Sequence, residues 1–251
     1  MNLEDFKYID SHCHVEDKSL NKYREDIVKR AFEKKVQMVT SGTNLGSCRR
    51  AVELKDKYGI YITLGYHPGR VNADDNVIEK VYNFIRTKEK EILAVGEIGL
   101  DFDAENIERQ ETIFKKFINL SEELNKPVVI HARGMEERSY EILKNDVISM
   151  YHCYSGSLEL AKELIENGNF ISYSTLVCFS EHHKNLVKNL GLENVVVETD
   201  SPYLSPIKGE KNEPKNVIKV IEKIWELKKD EYALDEITKI IYNNTKRLYR
   251  I

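Results

Sequence analysis

The chain has 251 residues, 41% of them hydrophobic, enough for one sizeable core in a large α/β barrel or in two small domains. A formal net charge of −4 argues against a broad basic surface that would hold duplex nucleic acid. No run reaches membrane-spanning length, the acidic start carries no signal-peptide core, and Cys13, Cys48, Cys153 and Cys178 form no CxxC pair, so a reduced, cytoplasmic chain without membrane contact is expected.

In chain order, apolar patterning alternates short strands with amphipathic helices. A strand over 7–10 leads into Ser11-His12-Cys13-His14. A helix over 23–35 carries Ile27, Val28, Ala31 and Phe32 on one face. A strand over 36–40 and a helix over 44–58 follow. The strand over 60–64 ends in Gly65-Tyr66-His67-Pro68, and a helix spans 77–88. The run Ile92-Leu93-Ala94-Val95 reads as a buried strand that delivers Glu97 between Gly96 and Ile98-Gly99. Such glycines leave room for a ligand or another backbone. A long helix covers 107–125, and a strand over 127–130 ends at His131. A helix over 136–144 leads to a strand over 147–151 that ends at His152. Next come a helix over 158–167, a strand over 169–174 and a helix over 181–190. A strand over 194–199 ends at Asp200. Pro214 suits the first turn of a helix reaching 228, and a last helix spans 234–249.

Eight strands alternating with helices imply a parallel sheet. That count in this length fits a TIM (β/α)8 barrel with an additional C-terminal helix, one domain over 1–251. A doubly wound sheet is the alternative, but its phosphate-binding glycine fingerprint is absent after the first strand. No linker or short-period repeat interrupts the pattern.

In a parallel barrel the active site lies at the strand C-termini. His12, His67, Glu97, His131, His152 and Asp200 all follow apolar runs there. His12 and His14, two apart on a strand, point to one side; Cys13 between them points into the core. Two such imidazoles suit one divalent metal. His131 and His152, from neighbouring strands, could hold a second, and Glu97 can offer one oxygen to each. Asp200, on the strand beside the first, can join His12 and His14. Two ions about 3.5–4 Å apart would clamp attacking and leaving oxygens. Metal coordination lowers the pKa of water, and a carboxylate beside that water, Asp200, is the natural base.

The stretches Ile9-Asp10-Ser11-His12-Cys13-His14, Gly65-Tyr66-His67-Pro68, Gly96-Glu97-Ile98-Gly99-Leu100-Asp101, Ile130-His131-Ala132-Arg133, His152-Cys153-Tyr154-Ser155-Gly156, Glu198-Thr199-Asp200-Ser201-Pro202-Tyr203 and Asn212-Glu213-Pro214 together resemble the TatD family of metal-dependent hydrolases. The resemblance runs through to Asn244, Leu248 and Tyr249. It implies a TIM-barrel phosphodiesterase of the amidohydrolase superfamily. By it, His12, His14, Glu97 and Asp200 hold one metal, and Glu97, His131 and His152 the other. Family members are deoxyribonucleases, and some are credited with other esters such as aminoacyl-tRNA.

This chain departs from the family at Val15-Glu16-Asp17, Gly69-Arg70, Gly134 and Lys211. None is a metal ligand, and all lie where substrate is gripped. His67 and Arg133 are the candidate substrate contacts; a loop salt bridge is the alternative for Arg133. His182-His183 and the basic pairs Lys34-Lys35, Arg49-Arg50, Lys115-Lys116 and Lys228-Lys229 read as solvated helix faces.

The leading expectation is a deoxyribonuclease with two divalent ions (Zn, Mg or Mn), exonuclease-like on a single strand or an end, with Glu97 and Asp200 as its catalytic carboxylates. An amide, lactone or aminoacyl-ester hydrolase using the same centre is the alternative. A non-catalytic metal-binding protein is the remote one.

Overall fold

The computed structural model describes residues 3–143 and 147–251. Its centre is one eight-stranded sheet, ordered β1 to β8 with every ladder parallel. The strands are β1 (Tyr8–Cys13), β2 (Val36–Gly42), β3 (Tyr61–Leu64), β4 (Ala94–Asp101), β5 (Val128–Arg133), β6 (Ser149–Tyr151), β7 (Phe170–Tyr173) and β8 (Val195–Val197). The helices between them are α1 (Arg24–Glu33), α2 (Leu45–Tyr58), α3 (Asp75–Thr87), α4 (Ile107–Glu123), α5 (Glu136–Leu143), α6 (Leu158–Glu166) and α7 (Glu181–Asn189). After β8 come α8 (Val217–Lys228) and the additional C-terminal α9 (Leu234–Tyr249). The expected end of α5 at Lys144 lies outside the described residues.

The ring closes between β8 and β1 without a regular ladder. Asp200 N–H donates to the His12 carbonyl (3.1 Å) and His14 N–H to the Ser201 carbonyl (2.7 Å). Ser11 Oγ donates to the Val197 carbonyl, and the buried Asp10 carboxylate accepts from Thr199 N–H and Oγ. Asp10 therefore does side-chain work at the seam, satisfying a strand edge that would otherwise stay unpaired.

Two apolar layers follow from the strands' period of two. One face of each strand packs under the helices. The other fills the barrel, with Ile9, Val39, Ala94, Val129, Met150, Phe170 and Val196 in one buried cluster. The end of α9 adds Leu248 and Tyr249 to it, and Tyr249 Oη donates to the Ser11 carbonyl (2.8 Å). Two residues further along the same inward face, Val129 gives way to His131, Met150 to His152 and Val196 to Glu198. The site sits on top of this plug.

Several strands outrun the apolar stretches that announced them. β4 passes Glu97 and pairs with β5 as far as Asp101 opposite Arg133, and β1 includes His12. The apolar runs end because the inward positions turn polar, while the backbone ladder continues. A register shift between Gly96 and Ile98 turns Glu97 inward. The flanking glycines make room for backbone, not for ligand. Gly99 has φ +140°, and a Cβ there would lie 2.0 Å from the His131 carbonyl oxygen. Gly99→Ala is expected to destabilise the fold by about 3 kcal/mol, from clash and backbone strain together. Urea unfolding checks this; a midpoint unchanged from the wild type would refute the close-approach account.

Candidate metal centre

Glu97 is the hub of the site and only 2% exposed. Its Oε2 faces His14 Nε2 at 3.5 Å and His12 Nε2 at 3.8 Å. Its Oε1 faces His131 Nδ1 at 2.8 Å and His152 Nε2 at 3.0 Å. Asp200 Oδ1 lies 3.4 Å from His14 Nε2 and 3.7 Å from His12 Nε2. The structure thus brings the six sequence-predicted ligands together. They form one continuous cluster, since His12, His152 and Asp200 also offer ligand atoms within 4.8 Å of one another.

The outer ring nitrogens reveal what the inner ones can do. His14 Nδ1 faces the Ser41 carbonyl (3.0 Å), which can only accept, so Nδ1 carries the proton and Nε2 turns a lone pair inward. His131 Nε2 donates to Asp101 Oδ2 (2.9 Å), which leaves Nδ1 facing the centre. His152 Nδ1 donates to Glu198 Oε1 (3.3 Å), which leaves Nε2. Carboxylate or carbonyl partners on the far nitrogen are the usual support of a metal-binding imidazole. His12 Nδ1 is buried with no hydrogen-bond partner among the described residues.

The electrostatics fit a cation. Burial disfavours charged imidazoles at His14, His131 and His152, yet the carboxylates beside each raise all three pKa values. Burial likewise opposes ionisation of Glu97, but His152, His67 and His131 outweigh it and hold its carboxyl well below the usual range. The hydrogen bond from His131 brings Asp101 down to about 2. The cluster attracts positive charge despite desolvation, and divalent ions would supply it in place of protons. The donor set of imidazoles and carboxylates suits Zn, and its oxygens also admit Mg or Mn.

His67 lies near, with Nε2 3.5 Å from Glu97 Oε1, but its ring is set differently. His67 Nδ1 accepts from Gly69 N–H (2.9 Å), and burial lowers its pKa to about 4. The neutral ring therefore carries its proton on Nε2 and faces the centre as a hydrogen-bond donor. Arg133 lines the mouth of the cleft above the cluster, a space of about 1190 Å³. Its guanidinium is largely exposed and lies 3.5 Å from Asp103, so the salt bridge exists and leaves most of the group open to the cleft.

Three orienting carboxylates escaped the sequence reading: Asp101, Glu198 and Glu16, the last 3.4 Å from His14 Nδ1 and accepting from Thr40 Oγ1. Three surface assignments also change. His183 is buried and bonds Ser155 Oγ and Ser180 Oγ, tying α7 to the loop after β6. Arg50 turns into the cleft wall, where its Nε donates to the Glu16 carbonyl, and Lys228 is buried on α8.

The family model described as TatD related DNase matches residues 9–250. A metal-dependent hydrolase of Methanocaldococcus jannaschii, itself named uncharacterized, is 59% identical over 248 residues, covering 99% of both chains. The metal-dependent hydrolase YabD of Bacillus subtilis, likewise named uncharacterized, is 34% identical over 96% of this chain and 98% of its own. The crystal structure of the TatD homologue YjjV of Escherichia coli superimposes with a TM-score of 0.90 at 26% identity, covering 98% of this chain and 99% of that one.

Proposed function

Since the chain belongs to the family of TatD-related DNases and is a metal-dependent hydrolase, we propose that it cleaves phosphodiester bonds of DNA with two divalent ions. The observation that carries this reading is the division of Glu97, whose two oxygens face different imidazole pairs. One carboxylate shared in this way suits a pair of cations set on either side of a reacting phosphate. His12, His14, Glu97 and Asp200 would hold one ion, and Glu97, His131 and His152 the other. Bound there, the ions supply Lewis acidity and lower the pKa of an attacking water.

The chain's own groups divide the remaining work. The Glu97 side chain is buried and surrounded by imidazoles, so it holds charge and does not exchange protons with solvent. The Asp200 side chain is 15% exposed and lines the cleft, where its carboxylate can accept the proton of the attacking water. His67 Nε2–H is placed to donate to a phosphoryl oxygen. Arg133 at the rim can meet a flanking phosphate with its planar fork.

The test is hydrolysis of an end-labelled oligonucleotide and of a simple phosphodiester against added Mg, Mn and Zn. Loss of both activities on chelation and restoration by one of these ions is expected, with progressive trimming from an end and faster turnover on single strands. Hydrolysis of amide, lactone or aminoacyl-ester probes with no phosphodiester cleavage would replace this reading.

Binding should also depend only shallowly on salt. The net charge is −4 and few cations line the cleft, so few phosphates are neutralised. The slope of log K against log salt scales with that number, and one implying about six or more contacts would refute an end-held strand.

A further inference from the structure

The exposed aromatics of this protein are not scattered. Among the described residues, Tyr23, Phe102, Phe179 and Tyr203 are the aromatic side chains with large exposure, and all four follow strand C-termini, on the face that holds the cleft. Phe102 is 71% exposed and Tyr203 54%. Rings gathered on the rim of one cleft, unlike rings exposed singly over a surface, point to a ligand that covers them.

Their placement says what. Phe102 follows β4 and Tyr203 follows β8, four strands apart in a ring of eight, so they stand on opposite rims with the ligand cluster between them. Tyr203 lines the cleft and its ring meets His14 edge-on, centroids 6.0 Å apart. Phe102 packs beside Gly134, which lines the cleft, and its N–H donates to the Arg133 carbonyl (3.0 Å). Cations accompany the rings: Lys18, Arg50, Arg70 and Arg133 line the same cleft. Free π faces beside cations, around a centre read as phosphate-cleaving, match the bases and phosphates of an unpaired strand. A duplex keeps its bases stacked on one another and offers no free π face to either ring.

We propose that Phe102 and Tyr203 are stacking platforms for bases of an unpaired strand laid across the cleft. This rests on the nuclease reading above and adds to it a base requirement that metals and phosphate contacts do not impose.

The experiment is filter binding of a radiolabelled single-stranded oligothymidine in calcium, beside the same backbone made abasic with tetrahydrofuran residues. Cleavage of both in manganese is scored in parallel. The wild type is expected to bind the abasic strand at least about tenfold more weakly. Phe102→Leu and Tyr203→Leu should each weaken binding of the intact strand about tenfold and leave abasic binding unchanged, while Tyr203→Phe keeps wild-type affinity. Equal affinity of the wild type for both strands, or intact-strand binding unchanged in both Leu variants, would overturn the proposal. Base-dependent binding without cleavage would uphold stacking and sink the nuclease reading; cleavage indifferent to bases would do the reverse.

Discussion

Purified Glu97→Ala protein is expected to lose most of both bound divalent ions, whereas His152→Ala loses chiefly one. The asymmetry comes from the hub. Glu97 presents Oε2 to His12 and His14 and Oε1 to His131 and His152, while His152 Nε2 meets only Oε1 of Glu97 at 3.0 Å. Removing the carboxylate also removes the anion that offsets five neighbouring imidazoles. His12 and His14 Nε2 lie only 3.3 Å apart, and His131 Nδ1 lies 3.2 Å from His152 Nε2. Without Glu97 those nitrogens have no shared oxygen to gather two cations, and cation–cation repulsion at about 4 Å goes unscreened. Elemental analysis gives the answer directly. Metal content should fall from about two equivalents to well under one in the Glu97 variant, with about one retained in the His152 variant. Two full equivalents in Glu97→Ala would end the bridging assignment, whatever its activity.

The barrel was legible because its strands are short apolar runs at regular spacing, and the clustered histidines and carboxylates because they sit where such runs stop. The stopping point itself misled. At Glu97 the strand continues for four more residues, and only the alternation of faces changes character. That alternation also holds the signal that went unread. Glu16 follows His12 and His14 at steps of two. Asp101 lies four residues beyond Glu97, and Glu198 lies two before Asp200. Counting onward in twos, as along a strand, points to each, although Glu16 and Glu198 lie past the ends of β1 and β8. Their partners could not be read in the same way. Asp101 supports His131 from the neighbouring strand, and Glu198 supports His152 from two strands away, so the pairing exists only once the strands lie side by side.

Exposure was the other hidden quantity. Nothing in the order of residues separates Phe102, on the rim, from Phe114 or Phe117, which are buried on α4. His183 and Arg50 show the reverse error, where polar residues on amphipathic helices were assigned to solvent. His183 turns inward because the loop after β6 supplies Ser155 as a partner, and Arg50 because the Glu16 carbonyl lies within reach. Both loops belong to the site face, where backbone acceptors are abundant and helix faces are not simply inside or outside.

Asp200→Asn is expected to lower kcat by about 10²–10⁴-fold, the range carried by a positioned general base. The substitution keeps volume and removes the capacity to take a proton, and an amide oxygen is a weaker ligand than a carboxylate oxygen. The backbone should tolerate it. Asp200 has φ +53°, a conformation that Asn adopts at least as readily, and its N–H bond to the His12 carbonyl does not involve the side chain. The fold and the β1–β8 seam should therefore survive, and the loss should appear in kcat. Two effects must be separated, because Asp200 Oδ1 also faces His12 and His14 Nε2. Saturating the variant with metal and measuring occupancy beside turnover does so. If turnover stays more than a hundredfold down at matched occupancy, the missing function is proton acceptance and not metal retention. Among the carboxylates gathered here, Asp200 is the most exposed to the cleft: Glu97 lines it but is held between His131 and His152, Glu198 is fully buried, Asp101 is engaged by His131 and Glu16 by Thr40. Wild-type turnover at matched occupancy would transfer the role of base away from Asp200 and leave it as a ligand alone.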